Sequence, residues 1–133
     1  MKDVETYIRT RDELGKVLGV ELISASDGSA KGKMTIAKHH LNGLEMTHGG
    51  SIFAFADIIF AAASNSRPGT AVAINVNIAY FKATRLGDTL FAEASEIALS
   101  RKIGTYLVQI TNQNGEAVAS FQGTVYRKEE EKY

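Results

Sequence analysis

The chain has 133 residues, and its 15 Lys and Arg residues balance 15 Asp and Glu residues. This length predicts a single domain, residues 1–133, that can bury a core without disulfides or a structural metal. The sequence contains no cysteine, which excludes disulfides, thiolate metal sites and a cysteine nucleophile. Nucleic-acid binders carry a basic excess or a basic face, so we expect no nucleic-acid partner.

The lengths and positions of the apolar segments indicate where in the cell the protein is expected. Residues 1–14 are polar and lack the apolar core of a secretory signal. The longest apolar stretch, Ile52–Ala63, is shorter than the roughly 20 residues of a membrane span, and Asp57 lies in its middle. We therefore expect a cytoplasmic protein that does not enter a membrane.

The first half of the chain predicts a helix, two strands and a second helix. Apolar residues near helical spacing indicate an amphipathic helix over Asp3–Leu18. Val20–Ala25 is typical of a short strand, and Ala30–Ala37 alternates as a half-buried strand does. After a loop over His39–Gly50, a helix is predicted from about Gly50 to Ser64. Its alanines and phenylalanines leave almost no polar face, so it should be buried on most sides.

The second half of the chain reads as four strands. They are Ala71–Phe81, Asp88–Leu99, Gly104–Asn112 and Ala117–Arg127. Asn114-Gly115 is a strong hairpin signal between the last two strands. Alternation in the first of them predicts one shared face, made of Val72, Ile74, Val76, Ile78 and Tyr80.

This order of elements predicts an α+β fold. An antiparallel sheet of about six strands would wrap around a central buried helix, with a short helix at the N-terminus. A single sheet leaves the central helix incompletely covered. A second copy of the chain could complete the cover, so we expect at least a homodimer.

Several basic side chains lie close together in the chain: Lys31, Lys33, Lys38, His39 and His40. A solvated strand edge and loop is the interpretation that this pattern favours. The histidines, which include His48 further on, show none of the spacings typical of metal sites. No Asp or Glu cluster lies near them in the sequence either, so we expect no metal site.

Asp57 does not fit its surroundings, because it lies in the apolar run Phe53–Phe60. Desolvation of a carboxylate among apolar neighbours costs several kcal/mol unless the group is paired or hydrogen-bonded. Such conflicts occur mainly at functional sites, where burial raises the pKa and makes a carboxylate a better base or nucleophile. The alternative is that Asp57 accepts hydrogen bonds from buried backbone or hydroxyl groups.

Glycines precede the second helix, in Asn42-Gly43 and in His48-Gly49-Gly50. Free N–H groups at a helix N-terminus carry the positive end of the helix dipole, and glycine lets a substrate come close. Such an N–H can stabilise a carbonyl oxygen that gains negative charge during acyl transfer. The alternative is an ordinary loop with glycines at its turns.

The positions of Gly49 and Asp57 constrain how they could cooperate. At a rise of ~1.5 Å per residue, the two groups lie roughly 12 Å apart along the helix. One carbonyl carbon cannot touch both groups of the same chain. If they act together, the N–H comes from one subunit and Asp57 from the other, across a two-fold axis.

The spacing of Asn42, His48-Gly49-Gly50 and Asp57 resembles the signature of hot-dog thioesterases of the phenylacetic-acid degradation type, the PaaI family. The resemblance extends from about Leu18 to Arg127 and takes in several shorter segments. These are Asn65-Ser66, Ile78-Ala79-Tyr80-Phe81-Lys82, Leu86-Gly87-Asp88, Arg101-Lys102-Ile103-Gly104 and Asn114-Gly115 to Gly123.

The resemblance implies an acyl-CoA thioesterase without a metal or redox cofactor, since coenzyme A is part of the substrate. The residue matching Asp57 acts as nucleophile or as general base on water, and the N–H matching Gly49 polarises the thioester carbonyl. The family residue that corresponds to Asn42 positions the acyl group or the water. The one that corresponds to His48 supports the donor loop. Family sites lie between two subunits, and members are commonly homotetramers made of two dimers.

The sequence does not define which acyl group the enzyme accepts. By family resemblance, small aromatic groups such as phenylacetyl are expected before medium-chain ones. Ala83 stands where the family often has proline, and Ile58 where it often has Ser or Thr, and both departures affect the pocket. The candidate substrate-binding residues are Gly50, Phe53, Tyr80, Lys82, Arg101 and Lys102, with Phe60, Phe81 and Arg85 as further candidates. The cations would bind CoA phosphates, and ordinary packing or surface charge is the alternative for each side chain.

Two other functions fit the same residues. One is a hot-dog hydratase or dehydratase, with His48 beside the donor loop as the proton-transfer group. The other is a non-catalytic acyl-CoA binding or sensor module, which would bind acyl-CoA without turnover.

Overall fold

A computed structural model describes residues 3–130, so residues 1–2 and 131–133 of the predicted domain range lie outside the described residues. The helices are α1 (Val4–Arg11), α2 (Glu13–Leu18) and α3 (Gly49–Ser64). The strands are β1 (Glu21–Ser26), β2 (Ser29–Thr35), β3 (Thr70–Tyr80), β4 (Thr89–Leu99), β5 (Ile103–Thr111) and β6 (Ala117–Lys128). A short 3-10 turn over Lys38–His40 lies in the loop before α3.

The predicted short N-terminal helix is confirmed, but its continuous span over Asp3–Leu18 is wrong, because the segment forms two helices that break at Asp12. The Asp12 backbone is extended, and its carboxylate accepts the Gly15 N–H at 2.9 Å as the N-cap of α2. Aspartate is favoured at such caps. The apolar spacing continues across the break, since Val4, Ile8 and Leu18 are all buried.

The six strands form one antiparallel sheet in the order β1-β2-β4-β5-β6-β3, which confirms the predicted α+β architecture. α3 connects β2 to the far edge strand β3 and packs across the sheet. Phe55, Ile59 and Phe60 of this helix are buried against the sheet, and Phe60 lies 5.9 Å from the Tyr106 ring and 5.4 Å from the Phe121 ring. Among the described helices, none is long and apolar enough to cross a bilayer.

The C-terminal end of α3 is fixed to the sheet by a polar cluster. The Arg67 guanidinium donates two hydrogen bonds to the Glu96 carboxylate, at 2.9 and 3.2 Å, and the Tyr106 hydroxyl donates a third at 2.8 Å. These bonds lower the pKa of Glu96. The segment that follows α3 is therefore held against β4 and β5.

The predicted single apolar face of β3 is wrong, because the strand carries a bulge at Ile74. The register with β6 shifts between Ala73 and Asn75, so Val72 lies opposite Tyr126 whereas Val76 lies opposite Gly123. An extra residue reverses the side-chain alternation. Val72 and Val76 therefore point to opposite faces of the sheet.

The two edges of the sheet differ. Along β1, the Arg9 guanidinium donates to the carbonyls of Leu22 and Ile23, and the Glu5 carboxylate accepts the Ala25 N–H. These side chains of α1 occupy edge groups that another strand would otherwise bind. The β3 edge runs for 11 residues at the opposite side of the sheet, and most of its residues are exposed.

Candidate active site

The first turn of α3 presents a free hydrogen-bond donor. His48 is the N-cap residue, and its Nδ1 accepts the Gly50 N–H at 2.9 Å. The Ser51 N–H binds the His48 carbonyl at 2.9 Å. Within residues 3–130 the Gly49 N–H has no acceptor. The positive end of the helix dipole therefore points outward through Gly49.

The segment before α3 is held by backbone and hydroxyl contacts. The His48 N–H donates to the His40 carbonyl at 2.8 Å, and the Thr47 N–H donates to the Thr84 carbonyl at 2.9 Å. The Thr84 hydroxyl also donates to the Thr47 hydroxyl at 2.6 Å, and both threonines are buried. The position of Gly49 is thus fixed from two directions.

Asn42 organises the loop that leads to the donor. Its Oδ1 accepts the Leu44 N–H at 2.8 Å and the Met46 N–H at 3.2 Å, and its own N–H donates to the Met46 carbonyl. The side-chain NH₂ group has no partner in the described part of the chain. Asn42 can therefore offer a donor, but not its oxygen, to a ligand.

A cleft of about 390 Å³ opens beside the donor. It is lined by Met46, Thr47, Gly49, Ile52, Tyr80, Phe81, Lys82, Ala83 and Thr84. The Tyr80 hydroxyl donates to the Gly49 carbonyl at 2.9 Å, and a Cβ at Gly49 would lie 3.2 Å from the Tyr80 ring. Glycine at this position is what lets the tyrosine pack so close. Lys82 projects from the cleft edge, with its ammonium 3.4 Å from the Glu116 carboxylate.

Asp57 lies on the one stripe of α3 that the chain buries only in part. The stripe contains Gly50, Phe53, Ala54, Asp57 and Ala61, which recur at helical spacing. The alternative of a hydrogen-bonded Asp57 finds no support, since no described donor reaches its carboxylate. Burial raises the pKa of Asp57, and the nearby Asp12 carboxylate raises it further. Such a group is a stronger base than a solvated aspartate.

The structure brings together only part of the predicted site. Gly49, His48, Gly50, Tyr80 and Lys82 lie at or beside the cleft, whereas Asp57 does not line it. Phe53 is half-buried and packs edge-to-face on Phe121, with ring centroids 5.5 Å apart. Phe60 is 1% exposed and belongs to the core, which favours the packing role for that residue.

Two other predicted cations, Arg101 and Lys102, lie at the opposite end of β3, whereas Arg85 directly follows the cleft residue Thr84. A second cleft of about 270 Å³ is lined by Pro68, Gly69, Arg101, Arg127, Lys128 and Glu129. Arg101 pairs with Glu129 at 3.2 Å, and the Lys102 ammonium lies 5.6 Å from the Tyr126 ring centroid. A strand of 11 residues spans roughly 33 Å, so this cleft is far from Gly49 of the same chain.

Sequence reasoning missed three residues that hold the donor segment: His40, Thr47 and Thr84. His40 was expected in a solvated strand edge and loop, and this expectation is wrong because the residue is 1% exposed. No local pattern separates it from the exposed His39 beside it. Within residues 3–130 no group of three potential metal ligands comes together.

The comparisons with known proteins agree with the fold. The family model described as the thioesterase superfamily matches residues 44–119. The acyl-coenzyme A thioesterase PaaI of Escherichia coli is 38% identical over 87% of this chain and 83% of its own. Its solved structure, from the phenylacetic acid degradation operon, has a TM-score of 0.89 at 36% identity, covering 92% of this chain and 89% of that one.

Two further solved structures are similar. A Thermus thermophilus protein has a TM-score of 0.86 at 38% identity, covering 90% of this chain and all (100%) of that one. A Streptococcus mutans protein, solved bound to acetyl-CoA, has a TM-score of 0.81 at 28% identity, covering 85% of this chain and 91% of that one.

A sheet wrapped around one central helix, with a free N–H at the start of that helix, defines an enzyme of the hot-dog thioesterase fold. The chain belongs to the thioesterase superfamily, and within it to the PaaI type.

The raised pKa of Asp57 predicts a stability effect with a definite sign. The folded chain holds the Asp57 proton more tightly than the unfolded chain does, so ionisation at neutral pH opposes folding. Asp57→Asn should therefore raise the melting temperature at pH 7, measured at matched protomer concentration. The gain should shrink as the pH falls through the raised pKa, where wild-type Asp57 becomes neutral.

Asp88→Asn is the matched control of opposite sign. The Arg85 N–H and the Gln113 side chain donate to the Asp88 carboxylate and lower its pKa. Removal of the Asp88 carboxylate should lower the melting temperature at pH 7. The effect should be smaller in acid, where the wild-type carboxylate becomes protonated. An Asp57→Asn protein that melts below wild type at every pH would contradict the account of Asp57.

Proposed function

We propose that the chain hydrolyses acyl-CoA thioesters to the free acid and coenzyme A, at a site that combines Gly49 of one subunit with Asp57 of its partner. One observation carries the proposal: α3 presents a free N–H at Gly49 and an unpaired carboxylate with a raised pKa at Asp57. The first suits a developing oxyanion, and the second suits a nucleophile or general base. The proposed reaction needs no metal or redox cofactor, because coenzyme A enters as part of the substrate.

The proposed chemistry follows from these groups. The thioester carbonyl oxygen accepts the Gly49 N–H, which stabilises the negative charge of the tetrahedral intermediate. Asp57 either attacks the carbonyl carbon or takes the proton of the water that attacks it. The CoA thiolate then leaves, and water supplies the hydroxyl of the acid. The free NH₂ of Asn42 can bind the acyl group or the water, while His48 holds the Gly50 N–H and so keeps the donor loop in place.

A homodimer supports this arrangement. Gly49 and Asp57 lie about 12 Å apart on one helix, so a second copy must supply the missing group. The β3 edge is exposed, whereas side chains of α1 occupy the β1 edge. Antiparallel pairing of two β3 edges would continue the sheet. It would also bring the half-buried stripes of the two α3 helices, which contain Asp57, towards each other. We further propose that two such dimers form a homotetramer.

The same pairing gives the basic cleft a role. Antiparallel β3 strands would place the Thr70 end of one subunit beside the Tyr80 end of its partner. Arg101 and the adjacent Lys102 would then lie near the partner's donor cleft, where they can bind CoA phosphates together with Lys82. Within one chain, the length of β3 separates these groups.

The donor cleft suits a small aromatic or medium-chain acyl group. Its 390 Å³ volume is lined in part by the aromatic residues Tyr80 and Phe81 and by the apolar side chains of Ile52 and Met46. Ala83, which stands where the family often has proline, is part of this lining. The Escherichia coli relative from the phenylacetic acid degradation operon supports phenylacetyl-CoA as the first substrate to test. We also propose that the enzyme works in the cytoplasm, where acyl-CoA thioesters are formed and used.

The hydratase alternative loses support at His48. A hydratase would need a histidine with an acidic partner to move a proton at carbon. The His48 Nδ1 already accepts the Gly50 N–H, and no described carboxylate pairs with the ring. The binding-module alternative corresponds to tight acyl-CoA binding without thiol release.

Thiol release from a panel of phenylacetyl-, hydroxyphenylacetyl-, benzoyl- and hexanoyl-CoA tests the proposed function. The chain has no cysteine, so a thiol-reactive dye gives no protein background. Turnover should occur with at least one substrate and should fall by orders of magnitude in Asp57→Asn. Binding without turnover, or full turnover in Asp57→Asn, would contradict the mechanism.

Gly49 offers a matched pair of variants for the same assay. Proline is accommodated at the first residue of a helix and lacks an N–H, so Gly49→Pro removes the donor and keeps α3. Gly49→Ala adds a similar Cβ beside Tyr80 but keeps the N–H. The loss of one oxyanion donor should lower kcat roughly 10²–10³-fold in the proline variant. Equal rates in the two variants would argue against the Gly49 N–H as the donor.

The proposed phosphate contacts predict a KM effect. Arg101→Gln removes a cation that binds CoA equally in the ground state and the transition state. KM for acyl-CoA should therefore rise several-fold with kcat unchanged. Lys31→Gln, on the exposed face of β2, is the matched control and should leave both constants unchanged. An unaltered KM in Arg101→Gln would remove Arg101 from the CoA site.

A further inference from the structure

His40 is a buried histidine that the proposed mechanism does not use. The residue is 1% exposed, although its neighbour His39 is exposed. The Ala37 N–H donates to the His40 Nδ1 at 2.9 Å, and the His40 Nε2 lies 2.7 Å from the Leu18 carbonyl oxygen. A carbonyl oxygen can only accept, so Nε2 carries the hydrogen and Nδ1 does not. These contacts define one neutral tautomer of the ring.

This residue joins three separate elements at the donor segment. Leu18 is the last residue of α2, and Ala37 leads into the turn Lys38–His40. The His40 carbonyl accepts the His48 N–H at 2.8 Å and the Ser51 hydroxyl at 3.2 Å. The ring therefore fixes the carbonyl that in turn fixes the N-cap of α3.

We propose that His40 is a positioning residue, whose neutral ring holds His48 in place and so aims the Gly49 N–H at the thioester carbonyl. The proposal rests on the proposed thioesterase function. A proton on Nδ1 would set a second N–H against the Ala37 N–H, and this contact cannot persist. The donor segment therefore requires an uncharged His40.

The surroundings of the ring favour the uncharged form. Burial lowers the pKa of His40, the hydrogen bond to Leu18 raises it, and the His39 ring, 4.2 Å away between centroids, lowers it. The other titratable groups on the elements that pack here are Lys38 in the turn, Asp12, Glu13 and Lys16 around α2, and His48 and Asp57 on α3. Among the charged groups, His39 is the one whose charge contributes to the lowered pKa of His40.

Two substitutions separate positioning from packing. His40→Phe keeps an aromatic ring but removes both hydrogen bonds, whereas His40→Asn keeps an acceptor near the place of Nδ1. His40→Phe should lower kcat for thiol release by roughly ten-fold or more with KM little changed, because the N–H acts mainly in the transition state. His40→Asn should recover part of the loss, and the control His39→Phe should match wild type at pH 7. A folded, oligomeric His40→Phe protein with normal kcat would overturn the proposal.

The wild-type chain provides a test that needs neither a variant nor a substrate. Nitrogen NMR should find His40 as the neutral Nε2–H tautomer at the pH of maximal activity. At lower pH, charging of His40 should accelerate hydrogen exchange at the His48 amide relative to the buried β5 amides. A charged His40 ring at the pH of maximal activity would overturn the positioning role. A His48 amide exchange rate that is independent of the charge on His40 would overturn it as well.

These readouts also separate the proposal from the proposed function. If the acyl-CoA panel shows no turnover but His48 exchange follows the titration of His40, the thioesterase function fails and the structural link between the two histidines stands. If turnover is present but His40→Phe leaves both kcat and His48 exchange unaltered, the function stands and His40 has no positioning role.

Discussion

The helix α3 carries both proposed reacting groups on a rigid rod of 16 residues. A fixed rise of ~1.5 Å per residue holds the Gly49 N–H and the Asp57 carboxylate about 12 Å apart. No movement of the surrounding loops can bring them together while the helix remains intact. The proposed chemistry therefore depends on the association of two chains, and the substrate geometry is set by the interface rather than by the fold of one subunit.

The sheet is arranged so that one edge is closed and the other is open. Arg9 and Glu5 of α1 occupy backbone groups of β1, whereas the long edge strand β3 is exposed. The half-buried stripe of α3 carries Asp57 in its middle, so the desolvated carboxylate lies on a helix face that the chain covers only in part. Both features support the proposed binding of a second copy at the surface where the proposed site is incomplete.

Most of the fold follows from the sequence because hydrophobic periodicity reports burial directly. The strand positions and the apolar helix α3 agree with the prediction to within one or two residues at most ends. The failures occur where one local hydrogen bond or one extra residue decides the outcome. Asp12 caps α2 inside a continuous helical pattern, and the bulge at Ile74 reverses the alternation of β3.

The residues of the candidate site also differ in whether the sequence reveals them. Asp57 conflicts with its apolar neighbours, and Gly49 lies at a predictable helix start, so both are visible in the sequence. The proposed role of His40 is not visible, because its burial depends on Leu18 and Ala37, which lie in separate segments of the chain.

Each proposed site takes Gly49 from one subunit and Asp57 from its partner. The most direct test of this arrangement is thiol release by mixed oligomers of Asp57→Asn and Gly49→Pro chains, each of which should retain about 1% of wild-type activity or less when alone. With subunit exchange confirmed, equal mixing should restore about a quarter of wild-type activity, since half of the dimers are mixed and each has one intact site of two; no recovery would contradict the account.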